Sequence, residues 1–158
     1  MDISLRTGEG RFNYRVAGLL IDKSRLLIMT DEQSQHYFIP GGRVLINELS
    51  EDAIIREIRE ELNIEVKVNR MLWVSEEFFH EDYYNEQFHE ICFYYLLDLV
   101  DKKLMSKGNK FLIEEGKHSN TFMWVEIENI SELDLRPDFV KNNISKLPRE
   151  IKHMVSKH

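Results

Sequence analysis

A single cysteine, Cys92, is all the thiol chemistry this 158-residue sequence holds. One cysteine cannot form an intramolecular disulfide, so the fold must rest on its apolar core, and a reducing compartment, the cytoplasm, is the expected setting. Between Ile91 and Phe93, Cys92 is expected to pack in the interior rather than to act as a nucleophile. Prolines number three and glycines seven, too few for a collagen-like or low-complexity chain. No apolar run is long enough to cross a bilayer, and the longest, Val16 to Ile21 and Phe93 to Leu97, have strand length. The opening segment MDISLRTGEGRF lacks the apolar core of a signal peptide. Basic residues fall short as well: 21 Lys and Arg stand against 28 Asp and Glu, a net charge of −7. That balance argues against nucleic acid or an acidic membrane as the main partner.

What is present describes a globular protein: 42% hydrophobic and 31% charged residues. The length predicts one domain over residues 1–158. Residues 12–21 read as a strand, 22–24 as a turn and 25–30 as the returning arm of a hairpin. Tyr37 to Ile39 reads as a short strand stopped by Pro40-Gly41-Gly42. Residues 64–79, 89–99 and 121–127 are further strand candidates. Residues 51–62 form the clearest helix, and Pro137 to Ser145 a second one opened by its proline. Residues 148–158 read as a short, mostly polar, helical tail, and the basic run Lys141, Lys146, Arg149, Lys152 and Lys157 as a solvated helix face rather than a nucleic-acid patch. Hairpins with one or two covering helices make an α+β fold around a mixed sheet.

The 51–62 helix concentrates the chemistry. Ser50 suits the N-cap, and Glu51 and Asp52 suit the positive end of the helix dipole. Ile54, Ile55, Ile58 and Leu62 fall in one stripe about 100° wide, which should face the sheet. Glu57, Glu60 and Glu61 fall in a neighbouring arc. Carboxylates at i, i+3 and i+4 repel one another, so this face is either solvated or relieved by a hard divalent cation. Asn63 stands where the chain leaves the helix, and asparagine tolerates the left-handed conformation such a cap needs.

The loop in front of the helix decides between those readings. From Gly42, five residues lead to Glu48 and seven more to Arg56-Glu57-Ile58-Arg59-Glu60-Glu61-Leu62-Asn63-Ile64. This matches G-x5-E-x7-R-E-U-x-E-E-x-G-U, with U apolar, at six charged or glycine positions and two apolar ones. Chance would supply it in a chain this long on the order of once in 100,000. The segment resembles the Nudix hydrolase signature, preceded by Pro40-Gly41-Gly42. Asn63 replaces the family's glycine, and Asn47 stands where many members carry another. Both replacements keep access to positive φ.

The resemblance implies a three-layer α/β/α sandwich with a mixed central sheet. It also implies metal-dependent attack of water on a diphosphate linkage in a nucleoside diphosphate derivative. By resemblance, Glu57, Glu60 and Glu61 hold Mg²⁺ or Mn²⁺, the Gly42 carbonyl adds a ligand, and Glu48 reaches the same cluster or its waters. Arg56 orients a neighbouring glutamate, and Glu57 is also a candidate general base. Members often recruit a further carboxylate from a later loop; Glu115 is the first candidate here, with Glu114 and Glu90 as rivals.

Outside the signature the signals are weaker. Tyr37, Phe38, Phe78, Phe79, Tyr83, Tyr84 and Phe88 are candidates for stacking a nucleobase or for core packing. Residues 76–90, with His80 and His89, read as a substrate-covering loop. The resemblance points to nucleoside triphosphates such as 8-oxo-dGTP, ADP-ribose or dinucleoside polyphosphates, and to a homodimer as a frequent assembly. Two other functions fit the same motif: a Nudix-fold nucleotide sensor without turnover, and RNA 5′-end pyrophosphohydrolysis. The intact glutamates and the 34 residues after Trp124 oppose the first, and the acidic charge opposes the second.

Overall fold

Alternation of apolar residues along the strands sets the architecture. The computed structural model describes residues 1–157; His158, the last residue of the tail, lies outside them. In chain order it contains β1 (Ser4–Arg6), β2 (Arg11–Asp22), β3 (Arg25–Asp31), β4 (Gly41–Arg43), α1 (Ser50–Leu62), β5 (Val66–Glu81) and β6 (Glu86–Leu99). After a 3-10 turn at Lys103–Lys107 come β7 (Lys110–Glu115), β8 (His118–Glu126), a second 3-10 turn at Ile127–Glu132, α2 (Asp138–Asn143) and β9 (Lys152–Lys157).

The sheet runs β7-β8-β3-β2-β6-β5-β9, with β1 and β4 both added to β2. It is mixed: β2 runs parallel to β6 and β9 parallel to β5, while the other pairs are antiparallel. Because successive side chains alternate, each long strand feeds two cores. Val16, Leu20, Leu27, Tyr95, Leu97 and Trp124 pack with Ala53, Ile54, Ile58 and Leu62 of α1. Ala17, Leu19, Leu26, Ile28, Cys92 and Tyr94 pack on the opposite side with Phe139 and Val140 of α2. The result is the expected α+β sandwich.

Helix α1 buries the predicted stripe shifted by one residue: Ala53, Ile54, Ile58 and Leu62 are buried, and Ile55 is half-buried. Its start differs from expectation. Leu49, in extended conformation, precedes the first helical residue without a side-chain cap. The Ser50 hydroxyl is hydrogen-bonded to the Tyr95 hydroxyl at 2.6 Å instead, so a partner on the sheet takes the group the cap would use. Its end follows the prediction: Asn63 is left-handed at φ 54°, ψ 41°, and its N–H donates to the Arg59 carbonyl at 2.9 Å.

Three segments depart from the sequence reading. Residues 76–90 are not a loop but the end of the β5–β6 hairpin, turned at 82–85 with Asn85 at φ 48°. The tail is not helical: β9 adds in parallel to β5, pairing Trp73 with Lys152 and Phe78 with Lys157. Of the basic run only Lys141 lies on α2, while Lys152 and Lys157 bound β9. Its polarity is that of an edge strand, with Ser156 buried and its neighbours exposed. Tyr37 to Ile39 makes only isolated bridges, Phe38 to Met29 and Tyr37 to Leu135.

Candidate active site

The segment from β4 through α1 folds back on itself around one guanidinium. Arg56 donates through Nε to Glu48 at 2.7 Å and through its two terminal nitrogens to Glu48 at 3.0 Å, Glu57 at 2.8 Å and Glu60 at 3.2 Å. It also reaches the Arg43 carbonyl at 3.0 Å. Glu48 accepts from the Leu45 N–H at 2.8 Å as well, so both its oxygens are engaged. Those donors, Arg56 first, hold the Glu48 carboxyl below its ordinary range. Asn47, at φ 66°, provides the turn that brings Glu48 back over the helix.

Glu57 points from α1 into β4. A β-carbon on Gly42 would lie 2.2 Å from the Glu57 carboxylate, so only glycine leaves room for it. One turn on, Oε2 of Glu61 is buried with no hydrogen-bond partner. Burial first, and then repulsion from Glu57 and Glu115, pushes the Glu61 pKa up to about 8. Burial likewise raises Glu57, against the pull of Arg56. Glu60 is half exposed at the rim. Three carboxylates therefore converge with one arginine hydrogen-bonded among them, and the innermost, Glu61, has the charge of Arg15 acting on it but an oxygen without a hydrogen-bond partner.

In front of Glu57 opens a cleft of about 400 Å³. Asn13 and Arg15 of β2, Phe88 and Glu90 of β6, and Phe79 and Glu81 of β5 line it, with Gly42 and Arg43 at its side. Asp2 and Tyr84 complete it. Glu90 is 3% exposed and accepts from Asn13 Nδ2 at 2.8 Å. Its other oxygen lies 3.6 Å from Arg15. The Phe79 and Phe88 rings stack at 5.3 Å.

Among the expected residues, Gly42, Glu57, Glu60, Glu61, Glu48 and Arg56 are brought together. Glu90 enters the cleft through β6. Glu114 and Glu115 lie at the exposed end of β7, not in a loop, and Glu115 acts on Glu61 through its charge. Of the aromatics, Phe79, Tyr84 and Phe88 reach the cleft. Phe38 packs on the α1 core and Tyr37 on the α2 core. Phe78 lies against His89 at 4.4 Å, and Tyr83 is exposed. His80 stands 3.9 Å from Asp82 at the hairpin tip. Asn13, Arg15, Arg43 and Asp2 were not singled out by the sequence. The signal for the first two was present: polar residues at alternate positions of a strand that is otherwise apolar, Phe12 to Ile21.

The model of the NUDIX domain matches residues 11–147. The chain belongs to the NUDIX family. It is a Nudix hydrolase, a class acting on nucleotide-type small molecules. Solved structures agree in fold. A NUDIX hydrolase from Nitrosomonas europaea superposes with a TM-score of 0.64 at 14% identity, covering 92% of this chain and 79% of its own. A mutator MutT protein from Bacillus halodurans gives 0.65 at 12% identity, covering 92% and 90%. An ADP-ribose pyrophosphatase from Streptococcus suis gives 0.58 at 10% identity, covering 91% and 98%. A search among curated proteins finds no match.

Among the described residues, no three His, Cys, Asp or Glu side chains stand preassembled as a metal cage. The donor set nevertheless fits a hard cation: carboxylate oxygens only, one of them buried and unpartnered, beside a backbone stripped of its side chain.

Proposed function

We propose that this Nudix hydrolase cleaves a diphosphate linkage in a nucleoside diphosphate derivative, with Mg²⁺ or Mn²⁺ as its cofactor. The observation that carries the reading is the unpartnered, buried Glu61 oxygen behind Glu57, which itself lines a cleft of nucleotide size. Glu57, Glu60 and Glu61 would hold the cation, with the Gly42 carbonyl beside them. When bound, a divalent ion neutralises the phosphates and makes water a better nucleophile.

The chain's own residues do the rest. Arg56 fixes Glu57 and Glu60 by charge-assisted hydrogen bonds. Glu48 fixes Arg56 through two bonds, which makes it a positioning residue in this geometry. Of the four carboxylates lining the cleft, Glu57 and Glu90 are our candidates to accept a proton from the attacking water. Phe79, Phe88 and Tyr84 bring aromatic surface to the cleft for a base, with Phe88 stacked on Phe79 and Arg11 over the Phe88 and Tyr84 rings. Two substrate classes share this chemistry: nucleoside triphosphates, including 8-oxo-dGTP, and ADP-ribose. The MutT protein and the ADP-ribose pyrophosphatase that share the fold make both worth testing.

The test is phosphate release from a nucleotide panel with Mg²⁺, with Mn²⁺ and with chelator. Turnover that needs the metal supports the reading. Saturable nucleotide binding without turnover on any substrate would make the protein a sensor, and release confined to 5′-triphosphorylated RNA would make it an RNA-end enzyme.

A further inference from the structure

Arg15 and Arg43 are cross-strand partners in the antiparallel β2–β4 ladder. Residues so placed carry side chains on one face, with Cβ atoms about 4.5–5.5 Å apart, and like charges there are destabilising. Both side chains line the cleft that holds Glu57. Each is about one-third exposed, at 33% and 34%. Neither ion pair is tight: Glu90 lies 3.6 Å from Arg15, whose charge also acts on Glu57, Glu61 and Glu77, and Asp2 lies 3.5 Å from Arg43. These separations exceed the ~2.7–2.9 Å of a charge-assisted hydrogen bond. Arg56, on the helix that follows β4, shows the contrast, since it makes five bonds between 2.7 and 3.2 Å.

Two guanidiniums on one face of the ladder, each with its nearest acid at 3.5 Å or more, form a site for an anion that can bridge them. A guanidinium fork matches the oxygens of phosphate. We propose that Arg15 and Arg43 form a clamp for the substrate's diphosphate, and that Asp2 holds Arg43 as a stand-in anion until substrate displaces it. Asp2 belongs to the segment before residue 11, outside the part of the chain that matches the family model. That segment is fixed in place: Ile3 N–H donates to the Val44 carbonyl at 2.9 Å, and Ile46 N–H donates to the Met1 carbonyl at 3.0 Å. The amino-terminal strap thus brings an acid to the cleft and competes with substrate for Arg43. The assignment rests on the cleft being the hydrolytic site proposed above.

The experiment is calorimetric binding of inorganic pyrophosphate and of ADP to the full chain in EDTA, so that neither metal binding nor turnover contributes. Arg43→Ala should raise both dissociation constants by about tenfold or more, the loss of one charge-assisted contact. Arg15→Lys, which keeps the charge but loses the fork, should also weaken both. Asp2→Asn should tighten both by roughly two- to fivefold, the scale of an exposed ion pair; a merely structural Asp2 would not do this. Tighter binding of ADP than of pyrophosphate assigns the clamp to a nucleotide, and equal binding assigns it to free diphosphate. Wild-type affinity in both arginine variants, or weaker binding in Asp2→Asn, overturns the clamp. A wild-type enzyme that hydrolyses nucleotides while both arginine variants bind normally removes the clamp alone. Arginine-dependent binding by a wild-type protein without turnover removes the hydrolase reading alone.

Discussion

Glu61 is the residue on which the site's electrostatics turn. Its carboxyl is pushed to about 8 by burial, so the metal-free native chain keeps a proton that the unfolded chain releases above its ordinary pKa near 4.5. The native state then binds more protons than the unfolded one between those two values. The contribution of Glu61 to the stability of the metal-free protein should therefore be full below about 4.5 and be lost as pH rises through about 8. Glu61→Gln should flatten that slope in thermal melts taken across the range. The same variant should cut turnover by at least about 100-fold, with a melting temperature at neutral pH no lower than wild type. Gly42→Ala gives a complementary outcome. Its β-carbon would collide with the Glu57 carboxylate, so turnover should fall by a comparable factor. Far-ultraviolet circular dichroism should stay native, because Gly42 needs no positive φ.

Among the elements, α1 was the most readable in the sequence. Its acidic arc, its apolar stripe and the turn at Asn63 all follow from side-chain spacing, which a helix converts directly into geometry. Asn63→Gly should fold normally and gain up to about 1 kcal/mol in urea unfolding, since glycine enters the left-handed region without strain. Ile58→Ala, at a fully buried position, should cost roughly 2–5 kcal/mol in the same assay. The β5–β6 hairpin tip and β9 were less readable. Residues 76–90 carry polar groups on both faces, so the two-residue period is masked. There the alternation sorts Phe79 and Glu81 into the cleft rather than apolar residues into a core. Strand β9 is an edge whose partner, β5, lies some eighty residues earlier, and no local pattern announces such a pairing.

At the scale of the molecule, the acid-rich signature and the cleft come from distant parts of one sheet. Strand β2 brings Asn13 and Arg15, β6 brings Glu90, and β5 brings Phe79 beside the loop that precedes α1. The signature could be read because its residues are close in sequence. The rest of the cleft depends on the parallel β2–β6 pairing, Asn13 to Glu90 among its partners. The fold as a whole gathers carboxylates at one point, against their mutual repulsion, and supplies a single arginine hub. The account requires a dication to complete that balance. The most direct test is titration of Mg²⁺ and Mn²⁺ into the metal-free protein at pH 7, by calorimetry in buffers of different ionisation enthalpy. The account predicts saturable uptake with net proton release, as the protonated Glu61 gives up its proton, and loss of that release in Glu61→Gln. Absence of uptake of either ion, with and without nucleotide present, would contradict it.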